Sequence, residues 1–169
     1  SEKNVVLIGM MGVGKSTVGK HLAVALRKDF FDSDKEIERN SGASISWIFD
    51  VEGEAGFRKR ESEAIANICL GENIVLATGG GAVVREENRR ILSDFGYVVF
   101  LSGSVELILS RTEHDKSRPL LQRSDRAETI SRLLSERTPY YSELADLTLD
   151  VAQLGIEKTV NSIIDFTGR

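Results

Sequence analysis

The chain has 169 residues with 22 Lys and Arg against 26 Asp and Glu, a net charge of −4, and that balance argues against non-specific binding to nucleic acid or a membrane surface. Cys69 is the only cysteine, so no internal disulfide forms and a reducing, cytoplasmic setting is expected. No apolar run approaches the ~18 residues of a membrane span, no basic-then-apolar signal opens the chain, and Ser1 in place of a methionine reads as a processed start or an added remnant. In chain order, "NVVLIG" is a buried strand and "KSTVGKHLAVALRKD" a helix with Val18, Leu22, Ala25 and Leu26 on one face. "FFDSD" is a second strand, and "KEIERNSG" and "ISWIFDVEG" are short helices stopped by Gly42 and Gly53. "EAGFRKRESEAIANICL" is a longer helix. "NIVLAT" and "YVVFL" are buried strands flanking the helix "REENRRILSDF". "SVELILSRT" is a helix that leads into the polar segment "EHDKSRPLLQRSDR". "AETISRLLSERTPYYSEL" is a helix that Pro139 bends or ends, followed by a last strand, "LTLDV", and a last helix, "IEKTVNSIIDFT".

Strands alternating with helices imply an α/β fold with a parallel sheet covered on both faces. The length fits one domain, residues 1–169. Ligands in such folds bind at the carboxyl ends of the strands, where several of the residues below are expected to meet.

"GMMGVGKST", Gly9 to Thr17, matches G-x-x-x-x-G-K-[ST] between a strand and a helix. Gly12, Val13 and Gly14 turn backbone N–H groups toward a phosphate, and the helix start at Ser16 and Thr17 adds its positive dipole end. Lys15 reaches the β- and γ-phosphates, and the Ser16 hydroxyl ligates Mg²⁺. This motif binds a nucleotide but does not choose among kinases, GTPases and ATPases. No N-K-x-D stretch reads guanine. "DFG" at Asp94–Gly96 lacks the other protein-kinase motifs and reads as a helix end with a glycine cap. Adenylate-kinase-like loops usually carry proline where this chain has Met11. His21 and His114 have no metal-type partners at useful spacing, and Cys69 reads as core.

The acceptor side carries more information. "FFDSD" puts Asp32 and Asp34 two apart as the chain leaves a strand. "GEAGFRKRE" puts Arg58 near a helix start, at helical spacing from Glu54 and Glu61. "SERTPYY" carries Arg137, and "TGGG" places Gly79, Gly80 and Gly81 after a strand. With "GMMGVGKST" and "SRPLL", these stretches follow one another in an order that resembles shikimate kinase over nearly the whole chain.

The resemblance implies a three-layer α/β/α P-loop kinase fold with a mobile lid at about 112–125. It implies transfer of the ATP γ-phosphoryl to the 3-hydroxyl of shikimate, with Mg²⁺, by a monomer. By position, Asp34 binds the acceptor hydroxyls, as base or as orienting acceptor. Arg58 and Arg137 hold the shikimate carboxylate, and Gly79–Gly81 floor the acid site. Asp32 partners Mg²⁺ beside Ser16, because "NIVLAT" ends in Thr78 and not in an aspartate. Arg118 is the lid arginine that reaches the phosphates, Arg111 stacks on adenine, and Gln153 contacts the nucleotide. A gluconate kinase or a silent nucleotide-binding module are the alternatives.

Overall fold

The computed structural model describes residues 3–113 and 125–168. Five parallel strands, β1 (Asn4–Ile8), β2 (Asp29–Asp32), β3 (Ile74–Ala77), β4 (Gly96–Ser102) and β5 (Leu147–Asp150), pair in the order β2-β3-β1-β4-β5. The most apolar runs take the middle. Val5, Val6, Leu7 and Ile8 of β1 are fully buried, as befits a strand covered on both faces. On one face α1 (Lys15–Leu26) packs against α7 (Val151–Thr167). On the other, α4 (Glu86–Phe95) packs on β1 and β4 beside α6 (Arg126–Leu144), which also contacts α5 (Val105–Thr112). This is the expected three-layer parallel architecture.

A second apolar cluster stands apart from this core. Ile37 of α2 (Ser33–Ser41) packs with Ile48, Phe57 and Ala64 of α3 (Ile45–Ile68), with Ile45 and Phe49 against them. It is built where α2 contacts both β2 and α3.

The structure corrects several boundaries. "FFDSD" is not a strand to its end. β2 stops at Asp32, whose Oδ1 accepts from the N–H groups of Asp34 (2.9 Å) and Lys35 (3.3 Å). Asp32 therefore caps α2, and Asp34 stands in that helix's first turn. Gly53 is the expected stop: two helical stretches of α3 meet there at a kink, with Gly53 at φ 75°, ψ −179°. Pro139 does not end α6, which continues to Leu144. The proline removes one N–H, while Leu133, Arg137 and Tyr141, four apart, bury one continuous face across it. Val151 is helical, not strand, because Asp150 accepts from Ala152 and Gln153 and starts α7 there, with a break at Gly155. Thr112, expected in the lid, ends α5, and its hydroxyl donates to the Ile108 carbonyl (2.6 Å). Asp125 caps α6, and the rest of the expected lid, Arg118 included, lies outside the described residues.

"DFG" is the expected helix end, with Gly96 following the last residue of α4. That glycine is extended, and a Cβ there would overlap the Asn4 carbonyl of β1. Gly96→Ala should therefore destabilise the fold by about 1–3 kcal/mol through overpacking. Thermal melts should show the drop with both substrate KM values unchanged, and an unchanged melting temperature would show that β4 sits farther from β1 than described.

Candidate active site

The loop after β1 closes on itself. Gly12 and Gly14 adopt φ 81° and 101°, left-handed values that favour glycine. Lys15 Nζ crosses the loop to donate to the carbonyls of Gly9 (2.7 Å) and Met10 (2.8 Å). The Val18 N–H donates to the Gly14 carbonyl (2.9 Å), so α1 begins on the loop, and no side chain caps it. Its first N–H groups thus make an anion site with the dipole behind them. Val13 turns its side chain into the core, and only its backbone serves the loop. Its carbonyl accepts from Arg111 Nη1 of α5 (3.0 Å). The Ser16 hydroxyl donates to Asp32 Oδ2 (2.6 Å). A cavity of about 300 Å³ opens here, lined by Gly12, Lys15, Ser16, Thr17, Asp32 and Arg111 among others.

Beside it, after β3, lies the acceptor cavity. Strand pairing sets the distance between the two, since Leu7 of β1 is in register with Ala77 of β3. Thr78 ties the strand ends together, its N–H and hydroxyl both donating to the Leu7 carbonyl. Arg58 from α3 and Arg137 from α6, the latter 5% exposed, both line the acceptor cavity. Arg137 Nη1 lies 4.0 Å from Met10 Sδ, and burial lowers its pKa. Phe49 and Phe57 stack at 4.7 Å and, with Ile45, form the apolar wall.

Arg58 does more than face the cavity. Its Nη1 donates to Glu61 Oε1 (2.8 Å), and its Nε lies 3.6 Å from Glu54 Oε2, so both carboxylates at helical spacing are engaged. Glu61 is 1% exposed. Burial pushes its carboxyl up in pKa, Arg58 opposes this, and nearby Asp34 adds to the rise. The sequence reading missed Glu61 as a site residue. The signal was present: Phe57, Glu61, Ala64, Ile65 and Ile68 share one helix face, and a carboxylate on an apolar stripe needs a buried partner.

The glycine triplet has a different reason from a tight turn, since none of the three has a positive φ. At Gly79 a Cβ would meet Asp34 Oδ1 and Glu61 Oε2, both at 2.8 Å. At Gly80 it would meet Arg137 Nη1 at 3.2 Å, and at Gly81 the Arg58 guanidinium, Cζ at 2.7 Å. Each glycine makes room for a different charged side chain of the site.

Lys15, Ser16, Asp32, Asp34, Arg58, Arg111, Arg137 and Gly79–Gly81 therefore converge on one sheet edge. Gln153 does not join them through any described contact. It is exposed in the first turn of α7, and only its backbone N–H is engaged, by Asp150.

The family model for shikimate kinase matches residues 11–167. The chain belongs to the shikimate kinase family. A shikimate kinase of Pseudomonas syringae pv. syringae is 53% identical over 148 residues, 88% of this chain and 86% of the relative. One of Chromobacterium violaceum is 47% identical over 162 residues, 96% and 88% of the two chains. A solved shikimate kinase from Acinetobacter baumannii, in complex with shikimate, superimposes with a TM-score of 0.96 at 44% identity, covering 98% of this chain and 93% of that one. This member of the family is a kinase that uses ATP and phosphorylates shikimate, which sets aside both gluconate kinase and a silent module.

Proposed function

We propose that the γ-phosphoryl group of ATP, held on loop 9–17, passes to the 3-hydroxyl of shikimate seated against Gly79–Gly81, giving shikimate 3-phosphate and ADP. One observation carries this reading. Met11 and Asp34 line both cavities, so the donor and acceptor halves meet at those two residues. Lys15 and the first N–H groups of α1 take the phosphates. Asp34, at the junction, accepts a hydrogen bond from the acceptor hydroxyl and orients it. The transition state is loose, so the proton leaves late and a strong base is not required. Arg58 and Arg137 offer paired planar donors to the carboxylate, and Arg111 and Gln153 are read as nucleotide contacts. Arg118 keeps the phosphate-contacting role that the family resemblance gives it.

The residues present fit Mg²⁺. Ser16 Oγ and Asp32 Oδ2, 2.6 Å apart at the edge of the phosphate loop, are hard oxygen donors. Two are few enough to leave positions for phosphate oxygens and water, the way Mg²⁺ is bound in phosphoryl-transfer sites. When bound there, the ion supplies charge neutralisation on the transferring group. We further read residues 1–169 as one kinase domain acting as a cytoplasmic monomer. Both half-sites come from one chain, and among the described residues no helix is long and apolar enough to cross a membrane.

The test is ADP release with shikimate, with gluconate and with no acceptor. Release that depends on shikimate alone is expected, and equal release without acceptor overturns the reading. Within the acid site, Gly81→Ala should raise the shikimate KM at least as much as Gly80→Ala, because its methyl displaces Arg58 outright while Gly80 has room for a small shift. The ATP KM should hold in both. The reverse order would show that the glycines face the substrate ring and not the arginines.

A further inference from the structure

The turn after β3 leaves very little of its backbone unspent. The Gly79 N–H donates to Ser33 Oγ (3.0 Å), and the Gly79 and Gly81 carbonyls accept from Ala82 (3.1 Å) and Val84 (3.2 Å). The Gly80 carbonyl accepts from the Tyr141 hydroxyl at 2.5 Å. What remains are the N–H groups of Gly80 and Gly81, which have no acceptor among the described residues. Two successive N–H donors beside two arginines make an anion-binding concavity.

The Ala82 N–H closes the turn on the Gly79 carbonyl, but the Gly80–Gly81 peptide inside it makes no backbone hydrogen bond among the described residues. A peptide between two glycines rotates more freely than any other, and a flip would turn the Gly81 N–H away and present a carbonyl in its place. Among the described residues, Tyr141 is the one side chain hydrogen-bonded to this peptide, and its bond opposes the flip. Its ring is fully buried and stacked on Phe100 of β4, centroids 4.9 Å apart. It also stands one helical turn after Arg137 on α6. The Gly80–Gly81 peptide is trans, as no cis bond occurs among the described residues, so its C=O and N–H point to opposite sides.

We propose that Tyr141 is a positioning residue: by holding the Gly80 carbonyl on the core side, its hydroxyl keeps the Gly81 N–H aimed into the acid cavity as a donor to the substrate carboxylate. The same helix thus delivers the Arg137 guanidinium and the lock that sets the N–H beside it. The proposal rests on the reading that the carboxylate of shikimate sits at Gly79–Gly81. Burial raises the Tyr141 phenol to about 12, so it remains protonated, and a donor, across neutral pH.

Tyr141→Phe keeps the ring stack and removes only the hydroxyl. Assayed well below its melting temperature, it should raise the shikimate KM about tenfold and leave the ATP KM and the kcat at saturating shikimate within about twofold. In the unmodified ¹⁵N-labelled protein, adding shikimate should shift the Gly80 and Gly81 amide resonances, and in the variant the Gly81 shift should shrink. A lowered melting temperature with an unchanged shikimate KM would overturn the proposal, leaving Tyr141 a purely structural residue. No Gly80 or Gly81 shift in the unmodified protein would instead overturn the seating of the acid, a separate failure. If the variant does not fold, Phe100→Leu loosens the ring and keeps the hydroxyl. The shikimate KM must then rise alone, and an equal rise in both KM values overturns the lock.

Discussion

Lys15→Ala should lower kcat by about 10²–10³-fold or more, the usual loss when a preorganised donor to developing charge is removed. The side chain already lies across the loop, 2.7 and 2.8 Å from the Gly9 and Met10 carbonyls, so little reorganisation separates it from a phosphate. The substitution removes the two Lys15 hydrogen bonds across the loop, but it keeps the left-handed glycines, and alanine is a good helix former at the first position of α1. The melting temperature should accordingly stay close to that of the unmodified protein. Coupled ADP release and a thermal melt on the same preparation check both halves of the expectation. Near-native turnover in a folded variant would remove Lys15 from the chemistry.

Arg137→Lys and Arg58→Lys should each raise the shikimate KM at least tenfold, about 1.4 kcal/mol of binding. Lysine keeps the charge but not the planar pair of donors. The two variants should differ in a second property. Arg58 also neutralises the buried Glu61, and a lysine reaching into the cavity cannot serve Glu54, Glu61 and a ligand together. Arg58→Lys should therefore lose more thermal stability than Arg137→Lys. The shikimate KM is read with ATP saturating, and the ATP KM, read separately with shikimate saturating, should move little in either. The double variant should cost less than the sum of the singles, because both side chains serve one ligand group. Full additivity, or an Arg137 variant that alters ATP affinity, would place Arg137 on the nucleotide side.

What was legible in the sequence was what is local. The P-loop is nine consecutive residues whose glycines, lysine and serine act where they stand, and the strand–helix alternation fixed which edge it would occupy. Arg58, Arg137 and the glycines were found because they recur in order, but the side chains that crowd the three glycines were not. Those come from α2, α3 and α6, and chain distance carries no trace of that. Asp34 was placed at a strand end because Phe30 and Phe31 precede it closely, whereas a side-chain cap from Asp32 ended the strand first. Glu61 looked like half of a surface ion pair until its helix face was seen to be buried. Tyr141 was read only as helix, since its partner, a carbonyl 61 positions away, leaves no mark on the residues around it. Gln153 was carried over by position alone, and no described contact supports it.

The separate apolar cluster between α2 and α3 has an evolutionary consequence. Ile45, Phe49 and Phe57 wall the acceptor cavity and belong to that small cluster, not to the main core around β1. Substitutions distant from one another combine nearly independently, so changes in this wall leave the nucleotide loop's support intact. A lineage is free to retool which hydroxy acid it phosphorylates by drift in one small layer while inheriting its phosphate chemistry unaltered.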